Sequence, residues 1–446
     1  MSRKQILHYG LWVILIIGMV MELAMQTFWQ NKFGIYKSPV ISILAGIAVT
    51  LAAFGLAGFK TPTVPLNKSN QILSRLKWSP VVKYGLFLLA FVLLAYWVGN
   101  FMGNIFERTP VEAKISDIIP SLEMYVQRLL GGEVVYRPLP FEGYSVDPTY
   151  FPLLWAPYIF SELLQIDYRW TAYGVFLLAI FLYQMKLLRQ DIPVFEILVK
   201  MSIPFVWLYL FTQFASGTLG MAVELLPVGF YLLLTLSVFN RRPWLMAIGI
   251  LLCLLSRYAF TFWLPVYLLI YWIEYGFKNV FQVSFYVLLG VLGLYVIPFL
   301  SKDWMILKKG LDYYEKTAVG QWETQPWQEP GAKPHHLVKG LSLAIYFYDY
   351  QKYTVPDRLS LNRKTHITVC AITALLLLLG YFYYRKKGLN TKMYLLIGLK
   401  LYLVIFYGFF YVPFSYLFQL PLFLSIPLLY NIPFLRKGEL DTEGTD

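Results

Sequence analysis

An acidic residue stands directly before a short amphipathic segment in the first long polar stretch of this chain. Asp117 precedes the sequence IIPSLEMYVQRLLGG. A positioned carboxylate can accept the proton of an attacking hydroxyl, a step typically worth about 10²–10⁴ in rate. The same carboxylate can instead cap a helix or interact with its dipole, which contributes about 1 kcal/mol. Glu123 is a second candidate base, with a solvated helix residue as its simpler interpretation.

The spacing of apolar residues after Asp117 predicts a short helix that holds this carboxylate at its N-terminus. Pro120 suits the first helical turn, and Gly131-Gly132 suits a C-terminal stop. One apolar stripe follows the helical repeat and consists of Leu122, Tyr125, Val126, Leu129 and Leu130. The opposite, polar face carries Ser121, Glu123, Gln127 and Arg128.

Arg257 lies between two short apolar runs, 243–256 and 259–275. A departing phosphate needs positive charge, and a charge within an apolar segment is commonly functional; snorkelling to an interface is the alternative. A single helix from Trp244 to Ile273 would be about 45 Å long, too long for one untilted span. We therefore expect a helical hairpin with Arg257 at its tip, with one long tilted helix as the alternative.

A second basic group lies in a later polar stretch. Lys333, His335 and His336 could contact a phosphate, or belong to an ordinary polar loop. Two adjacent histidines alone are a weak metal signal, because a metal site needs further ligands. Cys253 and Cys370 both lie within apolar runs and indicate neither a disulfide nor a metal site.

Composition identifies the elements that must position these residues as membrane-spanning helices. Hydrophobic residues make up 58% of the 446 residues and charged residues only 14%, whereas soluble domains carry about 25% charge. Runs of about 20 apolar residues recur along the chain. They predict an all-α, polytopic transmembrane bundle of about 11–12 spans, near 6–25, 40–59, 82–101, 170–188, 193–212, 219–239, 243–256, 259–275, 280–300, 366–384, 393–411 and 417–434.

The basic residues predict the orientation. With both termini in the cytoplasm, every short cytoplasmic link is basic, which is the positive-inside pattern. The net charge of +13 then reflects membrane anchoring rather than nucleic-acid binding. The basic residues in question are Lys60, Lys68, Arg75, Lys77, Lys83, Lys186, Arg189, Arg241, Arg242, Lys278, Arg385, Lys386, Lys387, Arg436 and Lys437.

The same pattern divides the chain into five regions and places two long loops outside. Both a bacterial cytoplasmic membrane and an endoplasmic-reticulum membrane fit this topology, and we expect the cytoplasmic membrane. The regions are two N-terminal helices in 1–60, a basic cytoplasmic linker at 61–81, a core at 82–300 with outer loop 102–169, a second outer loop at 301–365, and C-terminal helices with a short tail at 366–446.

Residues of the first outer loop resemble the GT-C superfamily of membrane glycosyltransferases, and most of all its polyprenol-phosphate-mannose-dependent mannosyltransferase-like members. The matching residues, over roughly 50 positions, are Asp117, Tyr125, Gly132 with Tyr136, Tyr150-Phe151-Pro152 and Pro157. Two departures are the extra spans before the loop and the wide gap between Asp117 and Tyr125. The gap leaves the choice of base between Asp117 and Glu123 open.

The resemblance implies inverting transfer of a hexose, such as mannose, from a polyprenyl-phosphate donor to a glycan or glycolipid acceptor on the outer side. Asp117 or Glu123 would be the base, and Arg257, Lys333, His335 and His336 would meet the donor phosphate. No cofactor is required, and a divalent metal is neither required nor excluded. Membrane lipids are expected partners, and nucleic acid is not. Expected substrate contacts are Tyr125, Arg128, Tyr136, Tyr150 and Glu224, the last of which could instead bond a neighbouring helix.

Two other classes of membrane protein compete with this interpretation. A lipid-linked sugar transporter or flippase predicts charges along a midplane path and two related halves, and Lys400 is one scattered candidate for such a path. A polysaccharide polymerase or ligase predicts catalytic Arg or His residues in a late loop, which 301–365 could supply. A purely structural membrane protein is the plain alternative.

Overall fold

The structure is a computed structural model that is 76% helical, with almost no strand. It describes residues 3–29, 32–58, 63–64, 80–190, 192–240, 242–324, 328–329, 331–350, 352–434 and 436–437, and only the backbone at 63–64, 80, 83 and 436–437. Most of the predicted linker 61–81 lies outside these residues. So do Lys60, Lys68, Arg75, Lys77, Arg241 and the side chains of Lys83, Arg436 and Lys437.

Helices form where the apolar runs predict them, because a backbone in lipid must satisfy its own hydrogen bonds. In chain order they are α1 (Arg3–Gln26), α2 (Lys37–Gly58), α3 (Pro80–Arg108), α4 (Ile118–Leu130), α5 (Pro152–Trp155), α6 (Ile159–Leu164), α7 (Tyr168–Leu187), α8 (Val194–Phe214), α9 (Ser216–Gly220), α10 (Leu225–Val238), α11 (Pro243–Leu254), α12 (Trp263–Tyr275), α13 (Phe277–Val291), α14 (Ile306–Gln321), α15 (His335–Lys339), α16 (Ala344–Tyr348), α17 (Val355–Lys386), α18 (Thr391–Gly408), α19 (Gln419–Phe423) and α20 (Ser425–Asn431).

Eight helices in the described part of the chain are long and apolar enough to cross a membrane. They are α1, α2, α3, α7, α8, α13 with its π-helical extension to Val296, α17 and α18. Two further apolar helices, α10 and α11, are shorter. The chain is therefore an all-α, multi-pass membrane protein, with fewer full-length spans than the apolar runs predict.

The run 417–434 differs most from its predicted span. It forms a 3₁₀ turn at Ser415–Phe418 followed by α19 and α20. Pro421 and Pro427 lack the backbone N–H that a continuous helix needs. The segment is buried on nearly every side, so neighbouring helices rather than lipid surround its broken backbone.

A buried ion pair ties this broken segment to the bundle. Lys400 Nζ of α18 lies 2.6 Å from Glu22 Oε1 of α1 and donates a second hydrogen bond of 2.6 Å to the carbonyl of Pro421. Ser425 Oγ donates to the other Glu22 oxygen at 3.2 Å. Lys400 thus has a carboxylate partner and a structural role within the core.

The helical hairpin predicted around Arg257 is present. Residues 255–262 separate α11 from α12, and Arg257 in this turn pairs with Glu224, directly before α10. At the far end of α12, Glu274 pairs with Arg385 at 2.8 Å. Lys392, which follows Arg385 at the start of α18, donates to the Phe239 carbonyl just before α11. Helices α11 and α12 therefore run in opposite directions, and Arg257 lies at the end of the bundle that carries residues 109–167, which we call the site end.

Two boundaries at the site end differ from the prediction. Helix α3 continues to Arg108, so the first loop starts later than residue 102. Helix α17 starts at Val355, well before residue 366, because the Thr354 side chain accepts a hydrogen bond from the Asp357 amide and Pro356 occupies the first turn. The second loop is correspondingly shorter than 301–365, and it contains α14, α15 and α16.

The described strands are short. β1 (Thr63–Val64) pairs in parallel with β4 (Arg436–Lys437) at the end opposite the site. β2 (Leu139–Phe141) and β3 (Tyr144–Val146) form an antiparallel hairpin within the first loop, and Gly143 takes the positive φ that its turn requires. The hairpin leads directly towards Tyr150.

Candidate active site

Asp117 lies where the sequence predicts, immediately before α4. Its side chain makes no capping hydrogen bond, and it has no ion-pair partner among the described residues. Burial raises the pKa of the Asp117 carboxyl above its usual range. The carboxylate is therefore not used as a helix cap, and it is a stronger base than a fully solvated aspartate.

An aromatic cluster of Tyr125, Tyr136 and Trp155 fixes the chain near this carboxylate. Tyr125 is fully buried and stacks on Trp155, with ring centroids 5.8 Å apart. Trp155 Nε1 donates to the Tyr136 hydroxyl at 3.2 Å, and that hydroxyl donates to the Tyr150 carbonyl at 2.9 Å. Tyr125 and Tyr136, expected to contact substrate, instead pack against one another and hold the backbone of Tyr150.

The Tyr150 phenol lies within electrostatic range of both charged groups that the sequence singles out. Burial raises the pKa of the Tyr150 phenol, the negative charge of Asp117 raises it further, and the positive charge of Arg257 lowers it. Both charges are therefore close enough to act on one hydroxyl. The structure thus brings the Asp117 carboxylate, directly before α4, and the Arg257 guanidinium of the α11–α12 hairpin within electrostatic range of one side chain, although they are about 140 positions apart in sequence.

Arg257 and Glu224 form an ion pair whose two members differ in exposure. The guanidinium side chain keeps 19% of its surface accessible, whereas the Glu224 side chain keeps 1%. Within the part of the chain that the structure describes, Arg257 Nε and Glu224 Oε1 have no hydrogen-bond partner. The backbone amide of Leu153 donates to the Leu255 carbonyl at 2.9 Å, which fixes the hairpin tip to the first loop. The pair presents a positive charge at the surface, with its counter-charge behind it.

Helix α14 of the second loop forms another wall of the site, which sequence reasoning missed. The Tyr314 and Tyr258 hydroxyls are hydrogen bonded to each other, and the Asp117 charge raises the pKa of the neighbouring Tyr313 phenol beyond the effect of burial. Gly310 sits so close to the first loop that a Cβ there would lie 2.8 Å from the Pro148 carbonyl oxygen. In the sequence, the adjacent tyrosines Tyr313 and Tyr314 are the feature that could have indicated this wall.

Two more tyrosines complete the surroundings of Arg257. Tyr407 at the end of α18 and Tyr416 in the following 3₁₀ turn both lie within electrostatic range of the guanidinium. Neither forms part of a recognisable motif in the sequence: Tyr407 lies within the predicted span 393–411, and Tyr416 directly precedes the predicted span 417–434. The accessible part of Arg257 is therefore bordered by phenol groups from four separate parts of the chain.

Glu123, the alternative base, lies in a different environment from Asp117. Burial and the negative charges of Glu162 and Asp167 raise its pKa to about 7, and Arg169 opposes this shift. Arg169 is itself buried and donates to the Thr109 and Gly220 carbonyls. Arg169 also pairs with Asp167 at 2.5 Å and so ties the start of α7 to the ends of α3 and α9. Glu123 belongs to this acidic cluster rather than to the group around Tyr150.

Arg128 has a structural role. It is buried and donates hydrogen bonds to the carbonyls of Val135, Arg137 and Pro138 at 3.2, 2.7 and 2.9 Å. These bonds hold the turn after α4 in place. Arg128 therefore stabilises the loop that carries Tyr136, and its guanidinium is already engaged by protein groups.

The basic group of the second loop lies beside the site rather than in it. Lys333 Nζ lies 2.6 Å from Asp349 Oδ1, so its charge is already paired. Burial lowers the pKa of His336 to about 4, and burial together with Lys339 lowers the pKa of His335. His336 packs on Phe414 at 4.7 Å, and Phe414 stacks on Tyr416. The lowered pKa values favour the uncharged form of both histidines, and the Phe414 ring connects His336 to Tyr416.

The described residues contain no group of three or more His, Cys, Asp or Glu side chains that could hold a metal ion. Cys253 and Cys370 are both free and buried, as their positions in apolar runs predict. No family model matches the chain, and no curated protein or solved structure is significantly similar to it. The residues around Tyr150 therefore carry the functional argument.

Proposed function

We propose that this protein is a membrane glycosyltransferase of the GT-C type. It transfers a hexose, such as mannose, from a polyprenyl-phosphate donor to a hydroxyl of a glycan or glycolipid acceptor, with inversion at the anomeric carbon. One observation carries the proposal: the charges of Asp117 and Arg257 both act on the same tyrosine, Tyr150. A base and a phosphate-binding cation near one position suit a displacement reaction.

In the proposed mechanism Asp117 accepts the proton of the acceptor hydroxyl while that oxygen attacks the anomeric carbon. The new glycosidic C–O bond forms as the bond from the anomeric carbon to the phosphate oxygen breaks. The lipid phosphate leaves with the bonding electrons, and Arg257 stabilises its negative charge. Glu224 pairs with the guanidinium and orients it, and Tyr150 lies within electrostatic range of both the base and the cation.

Metal assistance is not needed for the bond that breaks. A phosphate is a good leaving group, and the accessible guanidinium of Arg257 supplies positive charge where it departs. Asp117, with no capping bond, supplies the base. We therefore assign the chemistry to side chains of the chain itself.

The basic residues at the opposite end of the bundle support an orientation with both termini in the cytoplasm. Arg385 and Lys392 are described there, on the far side of the bundle from Arg257. In this orientation the site faces the outer side of the cytoplasmic membrane. The acceptor is then a glycan or glycolipid on that surface.

A polysaccharide polymerase or ligase is the second candidate, because the Tyr258–Tyr314 hydrogen bond makes the second loop part of the site wall. That function would use His335 and His336 directly. A transporter or flippase finds less support, because the midplane candidate Lys400 is paired with Glu22 and bonded to Pro421. Its ammonium group therefore does not line an open path.

Reconstitution distinguishes these functions. Purified protein in liposomes is given radiolabelled polyprenyl-phosphate hexoses and a panel of glycolipid acceptors, and new glycosidic bonds are detected by chromatography. Transfer that Asp117→Asn abolishes and His335→Ala/His336→Ala leaves intact supports the GT-C reaction. The reverse pattern supports the ligase, and movement of lipid-linked sugar without bond formation supports a transporter.

A further inference from the structure

Helix α14 has an apolar side that no part of the described chain covers. Trp304, directly before the helix, is 66% exposed, and Leu311 is 64% exposed. Met305 and Leu307 are also exposed. Positions 304, 307 and 311 are three and four residues apart, so they lie along one side of the helix. These four large apolar side chains form an exposed apolar strip, and such a strip marks a site of interaction with a protein or a membrane.

The strip is continuous with a membrane-spanning segment. The span that contains α13 ends at Val296, and Trp304 follows it by eight residues. The chain has thus only just left the hydrocarbon region when the strip begins. Tryptophan favours the boundary between hydrocarbon and headgroups, so its position here fits an interfacial helix.

Positive charge accompanies the strip. Lys302 and Lys308 are exposed and have no ion-pair partner among the described residues, whereas Lys309 pairs with Asp303 at 2.6 Å. An apolar side flanked by unpaired lysines is the pattern of a helix that rests on a membrane with anionic headgroups.

The other side of α14 belongs to the candidate site. Gly310 faces Pro148, and Tyr314 bonds Tyr258. The helix therefore has two distinct sides. One packs on the first loop and the hairpin tip, and the other is directed away from the protein.

We propose that α14 lies on the surface of a bilayer that contains anionic lipid. Trp304, Met305, Leu307 and Leu311 enter the boundary of the acyl chains, and Lys302 and Lys308 contact lipid phosphates. The helix then holds the wall formed by Tyr313 and Tyr314 at headgroup depth. This contact with the bilayer is independent of the proposed transfer reaction.

Depth-dependent quenching tests the apolar contact in the full chain. Leu311→Cys is labelled with an environment-sensitive fluorophore and reconstituted into liposomes with lipids that carry a quencher near the headgroup end of the acyl chain. Both native cysteines are buried, and wild-type protein treated with the same fluorophore controls for their reaction. Lys316→Cys, an exposed position on the polar side of α14, is the matched control. Quenching several-fold stronger at position 311 than at 316 is expected; equal quenching overturns the proposal.

Lipid charge tests the second part. Adding phosphatidylglycerol to zwitterionic liposomes should increase quenching at position 311, and Lys302→Gln/Lys308→Gln should remove this increase. An undiminished increase in the double variant overturns the contact between the lysines and anionic lipid. Leu307→Cys repeats the measurement at a second position in case the first variant folds poorly. If quenching is absent and labelled chains instead cross-link in proportion to protein density, a second copy of the chain covers the strip and the proposal is wrong.

Discussion

The Arg257–Glu224 ion pair joins the tip of the α11–α12 hairpin to the start of α10, and the Arg257 side chain is partly accessible whereas the Glu224 side chain is buried. The buried carboxylate cannot reach a ligand that approaches from the site end. An anionic ligand therefore meets the positive partner first, although the pair as a whole is neutral.

Removing the Arg257 charge should lower transfer more than it lowers donor binding. Arg257→Gln/Glu224→Gln removes both charges together, so no unpaired charge stays buried. If Arg257 stabilises the departing phosphate, kcat should fall by about 10²–10³. Steady-state kinetics with a polyprenyl-phosphate hexose measure this, and Arg257→Lys should recover part of the rate. An unchanged kcat in the double variant would contradict the assignment.

Asp117→Asn should reduce transfer by about 10²–10⁴ without unfolding the protein. Because a base must be ionised, kcat/KM of the native protein should rise with pH through the pKa of Asp117, which burial places above the usual aspartate range. The variant should lose this limb of the profile. Glu123→Gln is the control and should keep it; loss of the limb in the control would make Glu123 the base.

Glu123 should affect the pH dependence of stability. Burial and neighbouring carboxylates raise the pKa of Glu123 from its ordinary value of 4.5 to about 7 in the folded protein, so the folded protein binds more protons between these values. Its contribution is therefore favourable at low pH and is lost as pH rises from about 4.5 through about 7. Glu123→Gln should raise the melting temperature at pH 8 more than at pH 5. An equal change at both pH values would refute the raised pKa.

Tyr136→Phe should destabilise the first loop, because it removes the hydrogen bond to the Tyr150 carbonyl and leaves the buried Trp155 Nε1–H without its acceptor. A loss of about 1–3 kcal/mol is expected, read from thermal unfolding in detergent. Tyr96→Phe, an exposed tyrosine on α3, should change stability little. Equal shifts in both variants would mean that the two hydrogen bonds contribute nothing.

The Lys400–Glu22 pair should be more costly to break than to remove. Lys400→Met leaves Glu22 buried without its partner, which is expected to destabilise the protein by about 3–5 kcal/mol. Lys400→Met/Glu22→Gln should regain most of that loss in the same unfolding assay. If the double variant is as unstable as the single one, the role of the pair is not electrostatic.

Most elements of this fold could be predicted from the sequence because they depend on local patterns of apolar and charged residues. The apolar runs become helices, the stripe after Asp117 becomes α4, and the break at Arg257 becomes a hairpin. The failures have tertiary causes. A broken segment at 417–434 reads as a span because its neighbours, not its composition, shield its backbone.

The charged residues of the site could be predicted from the sequence, but the side chains that they meet could not. Asp117 and Arg257 stand out because charge is rare in this chain, and their common approach to Tyr150 depends on how distant segments pack. Arg128 looks exposed on a helical repeat, yet a turn that periodicity does not describe folds back over it. The contribution of α14 likewise appears only when Tyr314 meets Tyr258.

Gly310 lies so close to the Pro148 carbonyl that this position has no room for a side chain larger than hydrogen. An alanine there would act as a spacer between the two loops, and the Tyr313 and Tyr314 rings would retreat with the helix. Mutational scanning should therefore find position 310 intolerant even of the smallest side chain, although it lies in an otherwise permissive surface helix. The lack of a side chain at Gly310 therefore sets the distance between the two loops that border the site.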